Sequence, residues 1–272
     1  MSLLQAVILA IVQGLTELLP ISSSGHLYAI SWLLGWQDQG LAFDVSLHLG
    51  TLAAVLVYFF RDWLQIFSMG FGGKYAPDTD LKQNPQLFWM LVAATIPVGL
   101  AGLAFKHAAE TVLRNVYVIG IMLIVVGLLM AWGEKIGSRA KSIGKVTWLD
   151  AMAIGFAQVL AIIPGTSRSG ITMTMALFRD LDRPTAARFS FLLSTPAIAA
   201  AGLKTLYDGV KEEGVAALLK PELVVGILVS GIVGYLVIAL LMRFLVRNGF
   251  RPFIYYRIAF GILLIALAFF RS

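Results

Sequence analysis

Cysteine is absent from this 272-residue chain, which excludes disulfides, thiolate nucleophiles and cysteine-based metal sites while leaving the compartment open. Charge is scarce: Asp, Glu, Lys and Arg make up 13% of the residues, against roughly 25% in an average soluble domain. Histidine occurs only at His26, His48 and His107, without the spacing of zinc ligands. There is no GxxxxGK[ST] run, so a Walker phosphate loop is excluded, and the alternation expected of a barrel strand is missing. What is present is apolar. The chain is 59% hydrophobic with a mean hydropathy of +0.85, and several apolar runs approach the ~20 residues a helix needs to cross a bilayer. It reads as an all-α integral membrane protein. The net charge of +6 comes from basic residues in loops between apolar runs, a pattern that points to membrane orientation and not to nucleic acid.

Apolar runs and their polar breaks predict six crossings, near 43–60, 86–105, 116–133, 189–206, 222–242 and 253–270. Segments 1–34 and 148–178 differ. Each is two short apolar helices joined at a Pro/Ser/Gly break, the pattern of a re-entrant hairpin that enters and leaves on one side. Met1 to Leu19 is as apolar as a signal peptide, but it lacks a basic n-region and carries Glu17, so it is expected to stay in the mature fold. The two broken stretches repeat one pattern, AIVQGLTELLPISSSGHL at Ala10–Leu27 and GFAQVLAIIPGTSRSGIT at Gly155–Thr172. SLHLGTLAA from Ser46 also echoes SFLLSTPAI from Ser190. The expectation is one membrane domain over 1–272, made of repeats of approximately 1–133 and 145–272. Each repeat has one hairpin and an odd number of crossings, so the second is inverted relative to the first. Loops 61–85, 134–147, 179–188 and 243–252 hold 13 Lys and Arg, the opposite side 6. The first set is expected to be cytoplasmic, with both termini outside.

The two breaks also hold the reactive side chains. Gln13 and Glu17 are four apart on one helical face, directly before Pro20. A charged group at the centre of a membrane helix costs about 2.5–3.5 kcal/mol on insertion scales, so Glu17 is expected to be paired, metal-bound or wetted, the plainer alternative being a carboxylate that snorkels to the interface. Ser22, Ser23, Ser24, Gly25 and His26 follow. At least one serine is expected to be a helix N-cap, worth about 1 kcal/mol. Ser23 three residues before His26 is also spaced for a nucleophile and its base, although a lone histidine is more often structural. In PGTSRSGIT, Gly165 allows close backbone approach, Thr166, Ser167, Ser169 and Thr172 bring hydroxyls, and Arg168 brings a planar five-donor fork. Together with a helix N-terminus these suit a phosphate. The structural alternative is an Arg168–Glu17 pair that merely locks the hairpins. Asp44 and His48 are explained as well by a polar helix end facing headgroups, and Arg257 either reaches the site or snorkels.

QGLTELLPISSSGH and PGTSRSGIT resemble the two signature motifs of bacterial undecaprenyl-pyrophosphate phosphatases of the bacitracin-resistance type. The FDVSLHLGT and PFIYYR segments agree, and the similarity covers essentially the whole chain. The resemblance implies a multi-pass enzyme of the bacterial inner membrane that hydrolyses undecaprenyl pyrophosphate, recycles the lipid carrier for cell-wall polymers and depends on a divalent cation, with Mg²⁺ first and Ca²⁺ second. Its partners are the polyprenyl pyrophosphate and membrane lipid, with room for a homodimer. By position, Glu17 is the acidic member of [EQ]xxxE, Ser23 and His26 lie in the serine-rich continuation, and Ser167, Arg168 and Thr172 lie in PGxSRSxxT. Gln13 departs from the carboxylate that many members carry there. A metal here would have Glu17, and Gln13 through its amide oxygen, completed by water and phosphate. In the expected reaction Arg168, Ser167, Thr172, Ser22 and Gly165 hold the pyrophosphate, and Ser23 attacks with His26 as base or relay. Attack by metal-activated water is the alternative chemistry. The rival from another class is a transporter or flippase of a lipid phosphate or other anion, since inverted repeats with broken helices also mark transporters.

Overall fold

The structure is a computed structural model that describes residues 1–37, 40–214 and 220–271. Among the described residues there are α-helices and short 3₁₀ turns but no β-strand. Helices α1 (Leu3–Thr16) and α2 (Ser23–Leu34) flank the break at Pro20. They are followed by α3 (Gly40–Tyr58), α4 (Phe60–Gly70), α5 (Leu87–Glu110) and α6 (Val116–Ile136). Helices α7 (Trp148–Gln158) and α8 (Arg168–Phe178) flank the break at Pro164. The chain then completes α9 (Arg183–Glu213), α10 (Pro221–Arg247) and α11 (Arg251–Arg271).

Helices α5, α6, α9, α10 and α11 are each long and apolar enough to cross a membrane; α3 and α4 make a sixth span if they are taken together. The protein is therefore a multi-pass, all-α membrane protein. The expected span 43–60 does not run straight into a loop: the chain bends by 75° between Tyr58 and Phe60 and continues as helix α4. The reason lies in the polar residues beyond the bend. Gln65 exchanges hydrogen bonds with the Asp78 backbone at 2.8 and 2.9 Å, and Asp62 pairs with Arg188 of α9 at 2.7 Å, contacts that a straight continuation of α3 would forfeit. Arg188 also reaches Asp78 at 2.9 Å. Burial alone would raise the Asp78 carboxyl, but the Leu81 N–H and the Arg188 guanidinium hold it below the usual carboxylate value. The same end of the bundle carries Asp150 paired with Lys141 and Arg179, and Glu134 paired with Arg183.

The helix starts are written in the sequence. Ser2 and Gln5 form a capping box on α1, Thr147 and Asp150 form another on α7, and the Asn115 and Asp182 side chains cap α6 and α9. Packing between helices depends on small residues, because lipid offers no hydrophobic drive for one apolar helix to prefer another. Helix α3 lies so close to α10 that a Cβ on Gly50 would stand 2.1 Å from the Ile227 carbonyl oxygen. Gly155 of α7 meets the Ala94 carbonyl of α5 at 2.3 Å in the same sense. Helix α1 packs on α10, α7 on α5, and α6 on α11. A buried cluster running from Leu18 through Met130 and Phe191 to Ile254 fills the interior, and the two breaks meet inside this bundle.

Candidate active site

Both breaks end in the same unusual backbone turn. Ser22 has φ 77° and ψ 94°, and Ser167 has φ 68° and ψ 113°, a left-handed region that L-residues other than Asn, Asp and Gly seldom occupy. Each serine is the N-cap of the helix that follows, accepting from the N–H of the glycine three residues on: Gly25 at 3.3 Å and Gly170 at 3.0 Å. The capping role expected of one serine in the first tip is thus taken by Ser22. That leaves Ser23 as the first residue of α2 and Arg168 as the first residue of α8.

Two sets of contacts bind the tips to each other. The Ser169 hydroxyl lies 3.1 Å from the carbonyl oxygens of both Glu17 and Leu19. Arg257, 0% exposed, donates to Pro20 O at 2.9 Å in the first tip and to Gly165 O and Thr166 O at 3.2 and 2.8 Å in the second. It also reaches the Met122 and Leu123 carbonyls of α6. Snorkelling is therefore overturned for Arg257. Its donors go to backbone carbonyls, because breaking two helices inside a bundle frees acceptors that have no water to bond.

Glu17 sits where the tips meet. Its Oε1 accepts from Arg168 Nη2 at 2.6 Å. Its Oε2 accepts from the Ser23 hydroxyl and from Gln13 Nε2 at 3.2 Å, and stands 3.0 Å from His48 Nε2. The buried carboxylate is thus both charge-paired and hydrogen-bonded, the arrangement that makes such burial tolerable. The structural alternative for Arg168 is realised only in part. Its Nη2 locks onto Glu17, but Nη1 is buried without a partner, an unmet donor of the kind that marks a place for an anion.

A cavity of about 270 Å³ opens on this cluster, with Glu17, Ser23, His48, Ser167 and Arg168 in its lining. Ser24, Asp44 and Arg114 line it too, and Val98, Ala197, Ile198 and Ala201 are among its apolar lining residues. Not every expected residue reaches it. Thr172 is buried between α8 and α9, its hydroxyl 2.6 Å from that of Ser190 and 2.8 Å from the Arg168 carbonyl. Ser22 and Gly165 shape the tips without lining the cavity. His26 points elsewhere. Its Nδ1 lies 2.7 Å from the Ser22 carbonyl, which can only accept, so Nδ1 carries hydrogen; its Nε2 meets the Tyr256 hydroxyl at 2.7 Å, and its ring stacks on Tyr256 and Phe260. The hydroxyl of Ser23 bonds Glu17 and not His26.

The histidine that does face Glu17 is His48, a weaker candidate in the sequence because a polar helix end explained it as well. Its Nδ1 lies 2.6 Å from the Asp44 carbonyl and so must donate. Its Nε2 then shares one proton with Glu17. Nothing in the local spacing could have separated His48 from His26, because each follows a backbone carbonyl by four residues. Only the packing of α3 against α1 decides which one meets the carboxylate.

Among the described residues no three His, Asp or Glu side chains are grouped to hold a metal ion. Glu17 is the carboxylate at the tips, and Gln13 Oε1 is buried without a partner. This donor set fits a divalent cation that brings most of its ligands as phosphate and water oxygens, a habit of Mg²⁺.

A model of the family described as bacitracin resistance protein BacA matches residues 6–263. The chain is 45% identical over 268 residues to an undecaprenyl-diphosphatase of Desulforudis audaxviator, covering 98% of each chain. It is 45% identical over 274 residues to one of Chlorobaculum tepidum, covering 98% of this chain and 97% of the relative. A third, of Moorella thermoacetica, is 41% identical over 267 residues, again covering 98% of each.

Proposed function

The chain belongs to the bacitracin resistance protein BacA family, and from that membership and the geometry of the tips we propose that it is a membrane phosphatase. It cleaves undecaprenyl pyrophosphate to undecaprenyl phosphate and inorganic phosphate, recycling the lipid carrier for cell-wall synthesis. The observation that carries this reading is one cavity lined by Arg168, whose Nη1 is buried without a partner, and by Ser23, whose hydroxyl bonds Glu17. An anion held by Arg168 in that cavity shares it with a hydroxyl whose hydrogen bond already points to a carboxylate.

In the mechanism the terminal phosphate is bound by Arg168 and the Ser167 region, and the prenyl chain stays in lipid. Ser23 attacks phosphorus and passes its proton to Glu17, whose carboxylate shares a proton with His48. Undecaprenyl phosphate leaves, and water then cleaves the phosphoserine to regenerate Ser23. The base is thus Glu17 in place of His26, whose ring nitrogens face Ser22 and Tyr256. Glu17 and Gln13 Oε1 would hold a divalent cation, Mg²⁺ or Ca²⁺. Such a cation offsets charge on the phosphoryl and leaving oxygens when bound. Purified protein supplied with a long-chain prenyl pyrophosphate should release inorganic phosphate, and more of it with Mg²⁺ than without. Folded protein that releases none in either condition would falsify the phosphatase reading.

The membrane arrangement belongs to the same proposal: two re-entrant hairpins, α1–α2 and α7–α8, in an inverted repeat within the bacterial inner membrane. The matching turns at Ser22 and Ser167 support it. So does a reciprocal packing, in which each hairpin's first helix lies on a spanning helix of the other half, α1 on α10 and α7 on α5. With the basic loops cytoplasmic, a cysteine placed at Ser2 should be labelled from outside and one at Ser142 from the cytoplasm. Labelling of both from one side would rule the inversion out. Ser272, the other terminal position, lies outside the described residues.

A further inference from the structure

A diphosphate has two phosphate groups, and of the protein's own cationic side chains the mechanism assigns only Arg168, to the terminal one. The cavity has a second guanidinium. Arg114, in the connection between α5 and α6, lines the same space as Arg168 and Ser23. It is largely buried, it pairs with Asp44 of α3 at 2.8 Å, and its guanidinium carbon lies 5.9 Å from the centre of the Tyr28 ring. Asp44 is buried as well. One chain of polar contacts joins the two arginines. Arg114 meets the Asp44 carboxylate, the Asp44 carbonyl meets His48 Nδ1 at 2.6 Å, His48 Nε2 meets Glu17 at 3.0 Å, and Glu17 meets Arg168 at 2.6 Å.

We propose that Arg114 is a second phosphate-binding residue, holding the phosphate next to the prenyl chain while Arg168 holds the terminal one. The inference rests on the phosphatase reading and adds to it the feature that selects a diphosphate over a single phosphate. Its physical basis is placement. A guanidinium is a lasting cation whose donors point outward in its plane, so it can bond one carboxylate along one edge and a phosphate oxygen along another. Asp44 fixes the direction of that plane, and Tyr28 lies within cation–π range of it. Val98, Ala197, Ile198 and Ala201 of the same lining bring no polar side chain, so a phosphate in the cavity finds its side-chain donors among the polar lining residues, Arg114 with them. Negative charge that gathers on the leaving oxygen falls on the phosphate Arg114 holds, so the residue acts on turnover as well as on binding.

The alternative is that Arg114 and Asp44 form a lock between α3 and the α5–α6 connection and touch no ligand. Titration of the purified protein in detergent with inorganic pyrophosphate and, separately, with inorganic phosphate, at one fixed Mg²⁺ concentration, separates the two. Arg114→Gln should weaken pyrophosphate binding by about ten- to hundredfold, the loss expected of a charge-assisted hydrogen bond, and change phosphate binding by less than about twofold. Arg114→Lys, which keeps the charge and the link to Asp44, should fall between wild type and Arg114→Gln for pyrophosphate; it also supplies the test if the glutamine variant does not stay folded. Equal losses for both ligands, or none for either, would overturn the assignment. Neither readout uses hydrolysis. A wild-type protein that discriminates pyrophosphate from phosphate through Arg114 yet releases no phosphate from a prenyl pyrophosphate would sink the enzyme reading and leave this site standing.

Discussion

Ser23→Ala is expected to lower phosphate release from a prenyl pyrophosphate by about 1000-fold or more, and to do so at every Mg²⁺ concentration, because added cation cannot replace a missing attacking oxygen. The substitution is small. Ser23 is the first residue of α2, while the cap that holds the helix start belongs to Ser22, so Ser23→Ala should leave the fold intact and bind substrate with nearly unchanged affinity. Its hydroxyl is also one of the donors on Glu17. Losing it leaves Arg168, His48 and Gln13 on that carboxylate, enough to keep the charge paired. Glu17→Gln is a different experiment, since it removes the proton acceptor and leaves Arg168 buried without its counter-ion. Substantial turnover by Ser23→Ala would move the nucleophile to a water. Wild-type turnover by a folded Glu17→Gln would take Glu17 out of the reaction.

Arg168→Lys keeps the charge and should still reduce kcat/KM by about 10- to 100-fold. In the proposed reaction the guanidinium does two things at once at the head of α8: Nη2 holds Glu17, as the structure has it, and Nη1, buried without a partner, takes the substrate. A lysine ammonium is a single point with donors around one nitrogen, so it can serve the carboxylate or the phosphate but cannot span both in the fixed geometry of a planar fork. The loss should appear in kcat as well as KM, because the terminal phosphate is then misaligned to Ser23. A lysine variant with unchanged kcat and KM would show that bidentate geometry is not what Arg168 provides.

The breaks at Pro20 and Pro164, the cap on α2, and the convergence of Glu17, Ser23 and Arg168 were legible in the chain because each depends on neighbours within one turn or on one repeated motif. The spans were legible for a similar reason, since apolar length is a local property. What could not be read were the side chains whose role is set by a helix from elsewhere. His48 looked like a polar helix end because its meeting with Glu17 requires α3 to lie against α1. His26 looked like a base because it stands three residues from Ser23, yet Tyr256, 230 residues away, takes its Nε2. The bend at Phe59 was hidden because its cause, Arg188, lies 126 residues beyond Asp62. Thr172 fell within the motif, but its hydroxyl is used to seat α8 on α9.

Arg257 has a bearing on the rival view of the protein as a carrier. Alternating access works by rocking one half of a repeat against the other around a fixed site, and in this chain such rocking would pull the Pro20 carbonyl away from those of Gly165 and Thr166. One guanidinium is bonded to all three. Separation would strand it, at 0% exposure, with donors that neither lipid nor solvent can satisfy, a penalty of several kcal/mol. The two tips are therefore expected to stay together. The α5 and α9 residues of the cavity lining differ, since each helix carries a proline in mid-helix, Pro97 and Pro196, next to Val98 and Ala197. A proline interrupts the backbone ladder and gives a helix a place to flex, so any yielding of the cavity is expected in its α5 and α9 lining before the two tips that Arg257 ties together.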